Sequence, residues 1–114
     1  LLRVQQAGIT IAAGSDAGNI GSLHGPGLHH ELELMVDAGL DPAQVLLAAT
    51  RGGAQVMGRS SELGRLEPGM LADLVVLDAD PLVNIRNARR IALVVVGGRL
   101  VQCNTDALPA VCPK

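Results

Sequence analysis

The stretch Ile9 to Gly21, ITIAAGSDAGNIG, constrains this chain more than any other. Residues 9–13 are nearly all apolar and rich in β-branched side chains, and the run stops abruptly at Gly14-Ser15-Asp16. Such a run between helical segments reads as a strand buried on both faces, as in a parallel sheet or barrel. In those folds, polar groups at the carboxyl ends of the strands converge on one face, where ligands bind. Asp16 is therefore the residue that the rest of the chain has to account for. The next segment, 14–27, contains Gly14, Gly18, Gly21, Gly25, Pro26 and Gly27. It is long for a strand-to-helix connection, and its glycines allow close backbone approach. A loop of that kind at a strand tip is a good place for a substrate.

Around this stretch the chain divides in two. Residues 1–7 read as the end of a helix broken by Gly8. Leu28, Leu32, Met35 and Val36 recur at helical spacing, so a helix is expected over Leu28–Ala38, ended by Gly39. Asp41, Pro42 and Gln44 form a capping box for a second helix running to about Thr50. Gly52-Gly53 is expected to bend or break it, with a further turn over Ala54–Met57 closed by Gly58. From about Ser60 the pattern changes to strands, at Gly64–Glu67, Ala72–Leu77 and a hairpin of Ile91–Val96 and Arg99–Gln102 around Gly97-Gly98. The expected division is 1–59 as an α/β portion, 60–103 as a β portion and 104–114 as a frayed tail. A lone parallel strand at 9–13 would lack neighbours for its N–H and C=O groups.

Composition removes several classes of function. Nine basic and eleven acidic residues give a net charge of −2, and only Arg86, Arg89 and Arg90 cluster. With no Phe, Tyr or Trp in 114 residues, there is neither a basic footprint nor a stacking platform for nucleic acid. No apolar run is long enough to span a membrane, and the expected location is cytoplasmic. Cys103 and Cys112 match no zinc spacing and are expected to be free thiols in a reducing compartment.

Asp16 can ligate a divalent ion or accept a proton from an attacking water, because a carboxylate is anionic and keeps a second oxygen for the proton. The alternative is an Asx-turn or a helix cap. His24, flanked by glycine on one side in a loop, suits a metal or a substrate better than packing. In His29-His30-Glu31, neighbouring side chains point to different faces, and Leu34 stands where a metalloprotease helix would need a second histidine. His29 is expected to be structural, while His30 and Glu31 can shape a pocket. Ser15 lacks the Gly-x-Ser-x-Gly elbow, and no phosphate-binding Gly-Lys-Ser or Gly-Lys-Thr comes after the glycines. Thr50 is expected to bond back to its own helix.

Several strings taken together carry a resemblance. They are Gly14-Ser15-Asp16-Ala17-Gly18, His24-Gly25, His30-Glu31-Leu32, Ala38-Gly39-Leu40 and Ala48-Ala49-Thr50, then the run from Leu63 to Leu77, Asp80-Pro81-Leu82 and the run from Val94 to Val101. In this order and spacing they resemble the end of a metal-dependent hydrolase of the amidohydrolase superfamily, in its imidazolonepropionase-like and prolidase-like branch. The resemblance implies an α/β fold: the terminal strand–helix portion of a distorted (β/α)8 barrel, then β-strands of a small β-sandwich domain. It implies one or two divalent ions, often zinc, with Asp16 as metal ligand and as catalytic proton acceptor. It places His24, Gly25 and His30 toward the substrate and makes Asp73 a structural acid entering a strand. The family's His-x-His pair, its two further histidines and its bridging lysine have no counterpart here, and the single lysine is Lys114.

The expectation is a C-terminal piece of an amidohydrolase, inactive alone, whose parent cleaves a carbon–nitrogen bond in a cyclic amide, an N-acyl amino acid or a dipeptide of Xaa-Pro or Xaa-Arg type. Its partners would be that small-molecule substrate and either the missing N-terminal barrel or further copies of itself, with neither nucleic acid nor membrane. The alternatives are a non-enzymatic oligomerising α/β module and a small-molecule binder built on the glycine loop.

Overall fold

In a computed structural model, which describes residues 1–21, 23–108 and 111–112, segment 9–13 is extended but belongs to no strand. The expected strand is corrected for a physical reason: a parallel strand exists only through its ladder, and no partner strand lies beside this one among the described residues. Instead of a ladder it makes single hydrogen bonds to helical turns: the Ile9 N–H reaches the Val4 carbonyl at 3.2 Å, and the Ala13 N–H reaches the Ala48 carbonyl at 3.1 Å. Nor is it buried on both faces. Ile11 and Ala13 are half-buried against the core, whereas Ala12 is exposed and Ile9 is 59% exposed.

The helices adhere closely to local sequence. α1 is Leu2–Gln6 and α2 is Pro26–Asp37, two residues earlier at its start than the apolar spacing suggests because Pro26 supplies a preset first turn. Leu32 and Met35 turn inward. α3, Pro42–Leu47, starts with the full capping box: Asp41 Oδ1 accepts the Ala43 N–H at 2.9 Å, and Gln44 Oε1 accepts the Asp41 N–H at 3.1 Å. Gly52-Gly53 does not break the helical path. The chain passes through a π-helical turn, Ala48–Gly52, into α4, Gly53–Val56, and both glycines keep helical angles. Thr50 Oγ1 donates back to the Leu46 carbonyl at 2.7 Å, as expected. Leu32, Met35, Leu40, Val45, Ala48 and Ile85 form the core, and Val45 is fully buried.

Beyond residue 60 three antiparallel strands, β1 (Leu74–Leu77), β2 (Ile91–Val96) and β3 (Arg99–Cys103), form a sheet in that order. Gly97 and Gly98 take φ of 56° and 76°, the mirror-image turn that a two-residue hairpin favours. Asp73 ties this turn to β1: its Oδ1 accepts the Gly97 N–H at 2.6 Å, and the neighbouring Ala72 carbonyl accepts the Gly98 N–H at 3.0 Å. The expected strand at Gly64–Glu67 does not form. Gly64, at φ 86°, tucks against the helical part, and Leu66 is 77% exposed, so no face exists for alternation to bury. A 3-10 turn, Ile85–Arg89, sends Ile85 into the core. The three clustered arginines are ion-paired: Arg86 and Arg89 with Glu33 of α2 at 3.4 and 2.8 Å, and Arg90 with Asp78 at 2.7 Å. The two portions thus share a core and a cross-link.

The cysteines require a second correction. Cys103 and Cys112 form a disulfide, with Cα atoms 5.6 Å apart. The tail folds back instead of fraying. Asn104 Oδ1 accepts the Asp106 N–H, the Leu108 N–H reaches the Asn104 carbonyl, and the Cys112 N–H reaches the Leu108 carbonyl. Those turns shorten the path between the sulfurs, and the inference of a reducing compartment loses its support. Residues 109, 110, 113 and Lys114 of the expected tail lie outside the described residues. No helix among the described residues is long and apolar enough to cross a membrane.

Candidate active site

Asp16 lies three residues beyond Ala13, the end of the extended segment, and is exposed. Its φ of 47° makes it the one non-glycine residue in the left-handed region among those described. Aspartate tolerates that region better than most residues, but the conformation still costs on the order of 1 kcal/mol, and such outliers concentrate at functional sites. The turn is closed by Asn19. Its N–H reaches the Asp16 carbonyl at 3.3 Å, its Nδ2 donates to Asp16 Oδ2 at 3.0 Å, and its Oδ1 accepts the Ile20 N–H at 2.9 Å. One carboxylate oxygen is thereby held, and Oδ1 is left without a partner among the described residues. Asp16 caps no helix: the N-cap of α2 is Gly25, at φ 83°. Sequence reasoning does not single out Asn19. The signal for it is an Asn three positions after an Asp through Ala-Gly, a turn sequence whose fourth residue can reach back to the first.

Beside this turn lies an open hollow of about 430 Å³, with Ile20, Leu23 and Pro26 on its apolar side and Ser15, His30 and Glu31 on its polar side. His30 thus lines one surface together with Glu31 and Ser15. His24 and Gly25 do not line it. His24 lies over Gly18, where an added Cβ would sit 3.5 Å from its Nε2, so the imidazole is close to the Asp16 turn but outside the hollow. His29 points the other way. Its Nδ1 is buried without a partner among the described residues, and burial first, then the Arg89 charge, lowers its pKa, against a smaller opposing pull from Glu33. The hydrogen bond from Arg89 is the main reason that the Glu33 carboxyl lies below its usual range, and the Arg89 and Arg86 charges add to it against desolvation.

A zinc ion asks more than these donors offer. Among the described residues no three His, Cys, Asp or Glu side chains gather closely enough to hold a metal. A zinc site takes about three protein ligands, and Asp16 supplies at most one. These residues do not make a metal centre by themselves.

Known proteins resemble this chain in sequence and fold. The amidohydrolase family matches residues 1–101. Imidazolonepropionase of Streptomyces griseus is 38% identical over 84 residues, covering 73% of this chain and 21% of that protein. Among solved structures, molinate hydrolase superposes with a TM-score of 0.79 at 31% identity, over 99% of this chain and 27% of its own. An Xaa-Pro dipeptidase with bound methionine gives 0.79 at 29% identity, over 88% and 24%. The chain belongs to the amidohydrolase family, in its imidazolonepropionase-like and prolidase-like branch. It has the α/β fold of one portion of those barrel enzymes, spanning about a fifth to a quarter of their length.

Proposed function

We propose that this chain is the C-terminal portion of a metal-dependent amidohydrolase that cleaves a carbon–nitrogen bond, in a cyclic amide or in an N-acyl or dipeptide substrate, and that it is inactive alone. One observation carries the reading: in a chain of this family, an exposed carboxylate is held in a left-handed turn three residues beyond an extended apolar segment. Residues 1–59 are taken as the closing part of the barrel, 60–103 as the sandwich portion and 104–114 as its tail.

Asp16 is assigned as the proton acceptor for the attacking water and as the donor to the leaving nitrogen. Asn19 fixes one of its oxygens, so the other is presented in a defined direction. A divalent ion, zinc in the first instance, would take Asp16 as one ligand, draw its other ligands from outside these residues and polarise the scissile carbonyl. His30 at the hollow, and His24 with Gly25 at its approach, are assigned to substrate orientation. A dipeptide substrate is a second form of the same reading, favoured by the likeness to the Xaa-Pro dipeptidase. The partner is the remainder of a barrel or, failing that, another copy of the chain.

The test is a chimera in which this chain replaces the matching segment of the Streptomyces griseus imidazolonepropionase. Turnover of that enzyme's own substrate is expected, and Asp16→Asn should reduce it by about 10²- to 10⁴-fold. A folded, metal-loaded chimera without turnover, or one indifferent to Asp16→Asn, would overturn the proposal.

A further inference from the structure

The π-helical turn Ala48–Gly52 meets segment 9–13 backbone to backbone at two points. The Ala48 carbonyl accepts the Ala13 N–H at 3.1 Å. One turn on, Gly52 is buried with its Cα facing the Ile11 carbonyl, so that a Cβ there would collide with that oxygen. The contacts therefore set a register between segment and helix as well as holding them together. Asp16 lies three residues beyond Ala13, roughly 10 Å along an extended chain.

The turn cannot easily retreat. On its other side Gly64 packs so closely that a Cβ there would lie 2.9 Å from Arg51 Cα and from the Thr50 carbonyl oxygen. Anything added at Gly52 must move the extended segment, which no sheet restrains. π-turns inside helices are often found at functional sites, and this one carries only small side chains where the backbone approaches.

We propose that the π-turn Ala48–Gly52 is a register clamp for the segment that ends in Asp16, with Gly52 as the positioning residue. Its catalytic meaning rests on Asp16 being the proton acceptor, but the clamp is tested separately, by signals that do not involve turnover. Neighbouring Gly53 is the internal control: it is also a helical glycine, yet an added Cβ there meets nothing within 4 Å.

In the unmutated 114-residue chain, amide hydrogen exchange should be at least about tenfold slower at Ala13 than at Ala12 or Gly14, whose N–H groups bond to nothing among the described residues. In amide and side-chain NMR spectra, Gly52→Ala should abolish that protection and shift the Asn19 side-chain amide, which reports on Asp16. Gly53→Ala should leave both unchanged. Absence of Ala13 protection in the unmutated chain would overturn the clamp even if Gly52→Ala fails to fold. Equal behaviour of a folded Gly52→Ala and Gly53→Ala would overturn it too. Failure of the Asp16→Asn chimera test would instead remove the catalytic role and leave the clamp standing.

Discussion

Removing the Cys103–Cys112 bridge should destabilise the chain by an amount set by the loop it closes. The cysteines are nine positions apart. Closing a loop of about ten residues removes roughly 9 cal/mol/K of denatured-state entropy, or about 2.7 kcal/mol at 25 °C. The full amount is felt only if the tail unfolds together with the sheet. Two contacts couple them: the Asn104 N–H bonds to the Ala92 carbonyl of β2 at 2.7 Å, and Cys112 is only 8% exposed. With a urea m-value of about 1.5 kcal/mol/M, the Cys103→Ser/Cys112→Ser variant should unfold at a midpoint about 1.8 M lower. Reduced wild-type chain should fall by a similar amount. Coincident midpoints for oxidised chain and double variant would refute the coupling of tail to sheet. Two titratable thiols in the folded, unreduced chain would refute the bridge itself.

Val45→Ala removes two buried methyl groups from a fully buried site, worth about 1.6 kcal/mol by transfer and roughly 2.5 kcal/mol with the cavity added; chemical denaturation checks it. Asp41→Ala deletes the cap of α3 and should cost about 1 kcal/mol by the same assay, while Asp41→Asn should cost less. Acid should weaken the junction of α2 with the 3-10 turn. His29 has a folded pKa below 6.5 and Glu33 one below 4.5, so the unfolded chain binds more protons than the folded one just under each of those values. Their stabilisation is complete above the unfolded pKa and is lost as pH falls through the folded one. Thermal melts should show a decline starting below 6.5 and deepening below 4.5, and Glu33→Gln should flatten the lower part; a flat profile through both ranges would contradict the assignment. With 9–13 unpaired and Ile9 and Leu47 both more than half exposed, the chain alone should self-associate, and a monomer in sedimentation would argue otherwise.

What can be read from the sequence is what neighbouring residues settle among themselves. Asp41-Pro42-Ala43-Gln44 closes its own cap, and Gly97-Gly98 supplies its own positive φ, so both are legible in the order of residues. Asp73 is legible as a structural acid only through resemblance, because its partner Gly97 is 24 positions away. The misses involve distant partners. Segment 9–13 has the composition of a strand, but a strand is defined by its ladder. Gly64–Glu67 has no strand beside it to pair with among the described residues. The π-turn is invisible in Ala-Ala-Thr-Arg-Gly, since its cause is the backbone packed on either side of it. The arginine cluster resembles a weak patch, and the acid that neutralises most of it is Glu33, 56 residues from Arg89. The cysteine pair escapes a spacing argument because the turns between the two residues, not their separation, bring them together.

The unpaired segment and the incomplete donor set are one deficiency seen twice. Barrel strands provide each other's hydrogen bonds, and their tips provide each other's ligands, so a helical portion with one strand-like segment among its described residues lacks both together. What this chain does contain is everything that can be closed within it. The core around Val45 orders the helices, the π-turn sets the height of residues 11–13, and Asn19 fixes the Asp16 carboxylate. Under the proposed function these are the parts that have to be rigid before the remaining strands are added, because a carboxylate misplaced by about 1 Å can lose on the order of 10²-fold in rate. Chemistry should therefore appear when the edge of segment 9–13 is covered by strands carrying further ligands, and it should depend on Gly52 as well as on Asp16.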